Sequence, residues 1–388
     1  MRIRQFSIPA VLCLLFGNMP SGGSVAAESG CAQMSVDQTG TIHTAACTVP
    51  FTALASPEAK KIFIEDALAA QALTPAAKPP EALSISDVIL KVRRDADATR
   101  KSMAEAMTAL FPVTISSEMI GGVQTDVVLP REGISQRNKD RVLINLHGGG
   151  MIFGARYEGQ VMSIPIASIG KIKVITVNYR MAPEHRFPAA SEDVAAVYSA
   201  LLQRYRSENI GIYGCSAGGG LTAQSAAWFQ AHHLPRPGAL GILCYGQSDD
   251  GTPFAGDSYY AATTPAALHD ATSRQALTLY ASDASPSDPL LNPFVSADVL
   301  SKFPPTLFIS ATRDFSMSSM IYDHIQLVKA GVDAELYLWD GLDHAFMYDP
   351  RLPESHEAYD VIVSPSTSGR RSWRDIGVVS GIAPNPAK

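Results

Sequence analysis

Ser216 stands at the centre of Gly214-Cys215-Ser216-Ala217-Gly218, after the β-branched and aromatic run 210–213 and before two more glycines and the helical pattern LTAQSAAWFQAHH. Strand, sharp turn and helix in that order hold the middle residue in a strained backbone conformation, with small neighbours that let strand and helix pass closely. Its hydroxyl is then presented rather than buried. A hydroxyl becomes a nucleophile only with a base to take its proton, a carboxylate to orient the base, and N–H donors preset for the oxyanion. Such a set performs acyl transfer, so each partner is sought elsewhere in the chain.

Leu146 closes an apolar run and leads into His147-Gly148-Gly149-Gly150, whose glycines can turn their amides toward one point. Gly148 and Gly149 are candidate oxyanion donors, joined by Ala217 at the first turn of the helix after Ser216, where the helix dipole assists. Of the nine histidines, His43 lies in an N-terminal loop, His232 and His233 sit at a helix end and His356 is C-terminal. His344 differs from these. It follows the strand-like ELYLW and the turn 340–343, a position expected on a loop at the carboxyl end of a sheet strand. Asp314 follows TLFISATR directly and is the candidate acid. Asp343 is a rival, but adjacent residues do not readily aim a carboxylate at the neighbouring imidazole, and Asp340 is a further rival. The chain order Ser216, Asp314, His344 agrees with a Ser-His-Asp triad at one edge of a sheet. No Cys/His spacing matches a zinc site, and the chemistry requires no metal or organic cofactor.

A sheet must position these groups. Short apolar runs at 142–146, 172–177, 210–213, 240–245, 306–309 and 335–339 read as buried strands, with helical patterns between most of them. That alternation predicts a mostly parallel, doubly wound α/β sheet with right-handed crossovers. VTISSEM and VQTDVVL, joined by Gly121-Gly122, predict an antiparallel hairpin at its start. Ahead of it, Ser56 as N-cap and Pro57 open a helix ending near Gln71, with Ile62, Ile64 and Leu68 on a mixed apolar face. A second helix, 85–110, carries Val88, Val92, Met103, Met107 and Leu110 along one side, with its charges elsewhere. Two such helices serve as packing elements or as a lid.

The domain reading is a signal peptide at 1–27, an irregular strap and two helices at 28–112, a catalytic domain at 113–350, and a C-terminal helix and tail at 351–388. Within the catalytic domain, a polar insertion at 249–293 is expected to shape the pocket.

A formal net charge of −6 without a basic stripe argues against a nucleic-acid partner. The pairs Arg93-Arg94 and Arg370-Arg371 read as solvated surface. Arg2 and Arg4, the apolar run 6–16 and Val25-Ala26-Ala27 form a secretory signal too short to span a membrane. Export to the periplasm or the cell exterior is therefore expected. Cys13 leaves with that segment. Cys31 and Cys47 bracket a polar, turn-rich stretch and are expected to form a disulfide worth about 3 kcal/mol in the chain-entropy view. Cys215 and Cys244 read as inert buried thiols. The oligomeric state is not legible.

HGGG (147–150), VNYRMAPEHRFPAA (177–190), GCSAGG (214–219), FPPTLFISATRD (303–314) and AGVDAELYLWDGLDHAF (330–346) together resemble the hormone-sensitive-lipase branch of the α/β-hydrolases, over residues 113–350. The resemblance implies an α/β-hydrolase fold with an N-terminal helical cap, and a serine carboxylic ester hydrolase acting on a small-molecule ester. It also implies Ser216 as nucleophile, His344 as base, Asp314 as its partner, and Gly148, Gly149 and Ala217 as oxyanion donors. Three positions depart from the family's habit: Ala345 where a glycine usually follows the base, Phe315-Ser316-Met317 after the acid, and Cys215 before the nucleophile. None removes a catalytic atom. Lactones, amides and acetylated carbohydrates are alternative substrates for the same groups. A non-catalytic small-molecule binder is the alternative from another class, and the intact His344 favours the enzyme.

Overall fold

The computed structural model describes residues 34–36, 38, 42–44, 51–72, 85–248, 253–261 and 278–363. The expected signal at 1–27, the pair Cys31 and Cys47, part of the insertion and the tail from 364 lie outside the described residues. An N-terminal unit ends at Phe51. Within it, β1 (Met34–Val36) and β2 (Ile42–Thr44) pair antiparallel, with Val36 opposite Ile42. The sequence predicts only irregular chain there, because strands of three residues are too short to show a period.

The second unit begins at Thr52 and is built on an eight-stranded sheet. Its strands are β3 (Val113–Ile120), β4 (Val123–Pro130), β5 (Val142–Leu146), β6 (Lys173–Val177), β7 (Ile210–Cys215), β8 (Ala239–Leu243), β9 (Thr306–Arg313) and β10 (Ala334–Asp343). They lie in the order β10-β9-β8-β7-β5-β6-β4-β3. The pairs β3–β4 and β4–β6 are antiparallel and the others are parallel. Every residue of β5, β7 and β8 is buried, as continuous apolar runs require of strands covered on both faces. Edge strand β3 leaves most of its side chains exposed or half-exposed. Gly121 and Gly122, both at positive φ, make the tight turn from β3 to β4. Strands β9 and β10 run on to Arg313 and Asp343, past their apolar runs, and so carry the next residue of each to the same sheet edge.

The helices are α1 (Pro57–Ala72), α2 (Ile85–Leu110), α3 (Tyr157–Gly170), α4 (Ala189–Leu201), α5 (Ala217–Ala231), α6 (Asp257–Ala261), α7 (Ala297–Leu300), α8 (Met317–Lys329) and α9 (Pro353–Val363). Helix α3 packs over β4 and β6 and meets α2 and α9, while α5 packs over β7 and β8. Ser56 caps α1 by accepting from Ala59 N at 3.0 Å. Its own amide and hydroxyl donate to the Glu354 carboxylate of α9, at 2.6 and 3.0 Å. Ile64 and Leu68 are exposed, Ile62 is half-buried and Ala59 is buried. Among the described residues, no helix is long and apolar enough to cross a membrane.

Helix α2 corrects the sequence reading. Val92 and Leu110 are exposed, and the stripe that docks consists of Ile89, Arg93, Arg100, Ala104 and Met107. Arg93 is not solvated surface: its Nε and Nη2 donate to the carbonyls of Ile152 and Ala182, each at 2.6 Å, and it pairs with Glu184 at 2.7 Å. The facing surface is lined by loop carbonyls, so an aliphatic stem ending in five N–H donors fits it better than a purely apolar side chain.

Candidate active site

The backbone brings the nucleophile candidate forward. Ser216 has φ 58 and ψ −128, a conformation that non-glycine residues adopt only where the surroundings impose it. Strand β7 ends one residue earlier, α5 begins one residue later, and Ser216 N donates to Leu243 O of β8 at 2.8 Å. Close packing makes this turn possible. A side chain at Gly218 would begin 1.9 Å from Leu146 O, so only glycine lets α5 approach the end of β5.

The three residues singled out in sequence meet. Ser216 Oγ lies 3.0 Å from His344 Nε2, and His344 Nδ1 lies 2.9 Å from Asp314 Oδ1. Asp314 is fully buried and saturated with donors: Ser316 N and Oγ reach Oδ1, both at 2.9 Å, and Ser310 Oγ reaches Oδ2 at 2.8 Å. Burial alone would raise its pKa, but the imidazole beside it and these donors hold the carboxyl below the usual range. Burial pulls His344 down, yet the field and hydrogen bond of Asp314, with Glu158 adding, outweigh that and raise it to about 8. Once the imidazole is neutral, Nδ1 keeps the proton shared with Asp314 and Nε2 accepts from Ser216. The rivals stand apart: Asp340 accepts from Thr312 Oγ1 at 2.9 Å, and Asp343 is exposed.

The candidate oxyanion amides of Gly148, Gly149 and Ala217 donate to no acceptor among the described residues, and Gly149 and Ala217 line one cavity with Ser216. Gly149 has φ 92, and a side chain there would begin 2.2 Å from Phe153 O, so no other residue makes this turn without strain. His147 is locked behind the loop. Its ring stacks on Tyr179 at 4.0 Å between centroids, and the Tyr179 hydroxyl donates to His147 O at 2.7 Å. Burial pushes the His147 imidazole down to about 4, which keeps it neutral and adds no cation to the oxyanion loop.

These groups open onto a cavity of about 300 Å³ lined by Met151, Phe153, Tyr280, Leu291 and Phe315, among others. Described parts of the 249–293 insertion, including Phe254 and Tyr280, belong to its wall. Ring contact between Phe315 and His344, 4.5 Å between centroids, shields the base from water. Cys244 lines the same cavity; burial pushes its thiol up, so it stays protonated, and its sulfur accepts from Ala345 N at 3.4 Å.

Sequence reading missed several residues. Ser316, two positions after Asp314, fits the short side-chain-to-backbone pattern that Asp favours and was findable. Ser310 lies on the same face of β9 four positions earlier and was findable by period. Arg100, Glu158 and Tyr348 also line the cavity, and no local pattern distinguishes them from solvated or core residues.

Ala345 occupies the left-handed region at φ 59, where glycine is favoured by about 1 kcal/mol. Ala345→Gly is expected to raise the unfolding midpoint by roughly 2 °C, read by thermal melting. An unchanged or lower midpoint would mean that this conformation carries no strain.

A serine on a strained strand-to-helix turn, relayed through imidazole to a buried carboxylate on a mostly parallel sheet, defines the α/β-hydrolase class. A family model described as alpha/beta hydrolase fold matches residues 143–348, more than half of the chain, and the chain belongs to that family. It is a carboxylesterase-like hydrolase. It is 28% identical over 226 residues to versiconal hemiacetal acetate esterase of Dothistroma septosporum, covering 55% of this chain and 69% of that protein. It is 24% identical over 275 residues to an esterase of Acinetobacter venetianus, covering 69% and 88%. Among solved structures, esterase E25 superposes with a TM-score of 0.70 at 28% identity, over 82% of this chain and 95% of that one. An esterase from the bacterial hormone-sensitive lipase family gives a TM-score of 0.63 at 25% identity, over 78% and 95%. These neighbours agree with the branch that the motifs resemble.

Proposed function

We propose that this protein is an exported serine carboxylic ester hydrolase that forms an acyl-enzyme on esters with small or medium acyl groups. One observation carries the reading: an unbroken relay from Ser216 Oγ to His344 Nε2 at 3.0 Å and from His344 Nδ1 to Asp314 at 2.9 Å. Ser216 Oγ attacks the ester carbonyl as its proton passes to His344 Nε2. The carbonyl oxygen becomes an oxyanion held by the amides of Gly148, Gly149 and Ala217. Collapse expels the alcohol, which takes the proton back from His344. Water then attacks the acyl-enzyme through the same base and releases the acid, regenerating Ser216. Asp314 keeps the imidazole oriented and stabilises its cation throughout.

The cavity of about 300 Å³ and its aromatic wall support short and medium acyl groups over long ones. The acetate esterase among the relatives points the same way. Export rests on the pattern of residues 1–27, and the helices α1 and α2 are read as a cap. A fluorophosphonate probe is expected to add one phosphonyl group to Ser216, located by peptide mass spectrometry, and p-nitrophenyl acetate or butyrate to turn over faster than palmitate. Labelling elsewhere, or none, would remove the assignment.

A further inference from the structure

One carboxyl group that the acyl-transfer steps leave unused lies against the oxyanion loop. Glu158, in the first turn of α3, is 3% exposed and lines the same cavity as Ser216. A side chain on Gly148 would begin 2.5 Å from Glu158 Oε1 and 3.3 Å from Ser216 Cβ. One on Gly154 would begin 2.7 Å from Glu158 Oε2. Two glycines thus make room for this carboxyl, which faces the nucleophile across the width of one side chain. Tyr348 Oη donates to Oε1 at 3.2 Å, while Oε2 has no hydrogen bond. Arg100 Nε lies 3.5 Å from Oε2, and Arg100 is the only ion-pair partner of Glu158 among the described residues. It reaches the carboxyl from α2, with its guanidinium 5.2 Å from the centre of the Tyr348 ring.

A negative charge there opposes the charge that gathers on the substrate oxygen at Gly148 and Gly149, and in a water-poor site that opposition is strong. Resting on the acyl-enzyme reading above, we propose that Arg100 and Glu158 are an electrostatic positioning pair, in which the arginine of α2 cancels the carboxylate behind the oxyanion loop. Turnover then depends on α2 being docked, because the cation travels with that helix. The buried Ile89, Ala104 and Met107 of α2 and the bonds of Arg93 to Ile152 O and Ala182 O hold it in place.

The sign of the pH effect follows from the groups around the carboxyl. Burial pushes Glu158 up, and Arg100 and the Tyr348 hydrogen bond pull it back. Without Arg100 it ionises at higher pH still, neutral on the acid side and anionic on the alkaline side. The other titratable groups facing it are Tyr348, Tyr179, His147 and His344. Burial holds both tyrosines far above their usual range and His147 down at about 4, so these three stay neutral at working pH. His344 must be unprotonated to act as base, so the parent's kcat/KM is expected to rise through pH about 8.

The experiment measures kcat and KM for p-nitrophenyl acetate across neutral and alkaline pH, in the parent, Arg100→Met, Glu158→Gln and the double variant. Arg100→Met is expected to lose kcat about ten- to hundredfold on the alkaline side and little on the acid side, turning a plateau into a bell. Glu158→Gln is expected to stay active, with its acid limb moved to lower pH, since Glu158 no longer supports the His344 cation. The double variant should recover to the level of Glu158→Gln. A parent-like Arg100→Met, or a loss equal at all pH that Glu158→Gln does not reverse, would overturn the pairing. Should Arg100→Met fail to fold, Arg100→Lys must keep the alkaline plateau and Glu158→Gln must still show its shift. If the parent itself fails to turn over the ester, the esterase reading fails instead, so the two outcomes are distinct.

Discussion

Ser216→Ala is expected to lower kcat on p-nitrophenyl acetate by about a millionfold while leaving the fold intact. The hydroxyl's partner is His344 Nε2, so its loss leaves no buried donor stranded in the sheet. Alanine also carries the same backbone cost as serine at φ 58, so stability should stay within about 0.5 kcal/mol. What remains is the oxyanion loop, worth a modest acceleration by itself. Steady-state kinetics, with circular dichroism to check the fold, measure the outcome. If the variant kept more than a few per cent of parental activity, another nucleophile would have to act. Cys244, the thiol that lines the same cavity, would then be the first to test.

Asp314→Asn should lower kcat by about a thousandfold or more. The hydrogen bonds to this carboxylate are donated to it by His344, Ser310 and Ser316. An amide keeps the shape but supplies one oxygen where two are used. If its NH2 turns toward His344, the imidazole is forced into the tautomer that cannot accept from Ser216; if it turns toward Ser310, the tautomer survives but the charge is lost. Either way the chief support for the His344 cation disappears. The acid limb of kcat/KM should therefore move to lower pH than the parent's, which is expected near 8. A variant within threefold of the parent, with an unmoved limb, would mean that Asp314 only packs.

The same pair governs stability in opposite directions. His344, raised in the folded state, contributes stability that is full below its unfolded value and fades as pH rises through about 8. Asp314, lowered, contributes above its unfolded value and loses that contribution as pH falls. Lowering the pH thus withdraws the stability that four donors to this buried carboxylate supply.

The likeness to solved esterases extends over 82% of the chain, yet not all of the site was equally legible. Ser216, Asp314 and His344 each come directly after a strand, in the chain order of the α/β-hydrolase fold, and strands announce themselves through local apolar runs. The oxyanion glycines were legible for the same reason, as a run directly after β5. Helix α2 was not. Its hydropathy pattern put Val92 and Leu110 inside and the arginines outside, whereas Arg93 and Arg100 are on the docked stripe.

Amino-acid order by itself determined the sheet, the turn that lifts Ser216, and which residues stand at strand ends, because each depends on neighbours within a few positions. Only the tertiary structure decided which face of α2 docks, that Ser310 and Ser316 saturate Asp314, and that Glu158 and Arg100 meet behind the loop. Those outcomes depend on what lies opposite a side chain in space. A charge is drawn onto a docked face by a carbonyl or a counter-charge far away in sequence, and no local period records that partner.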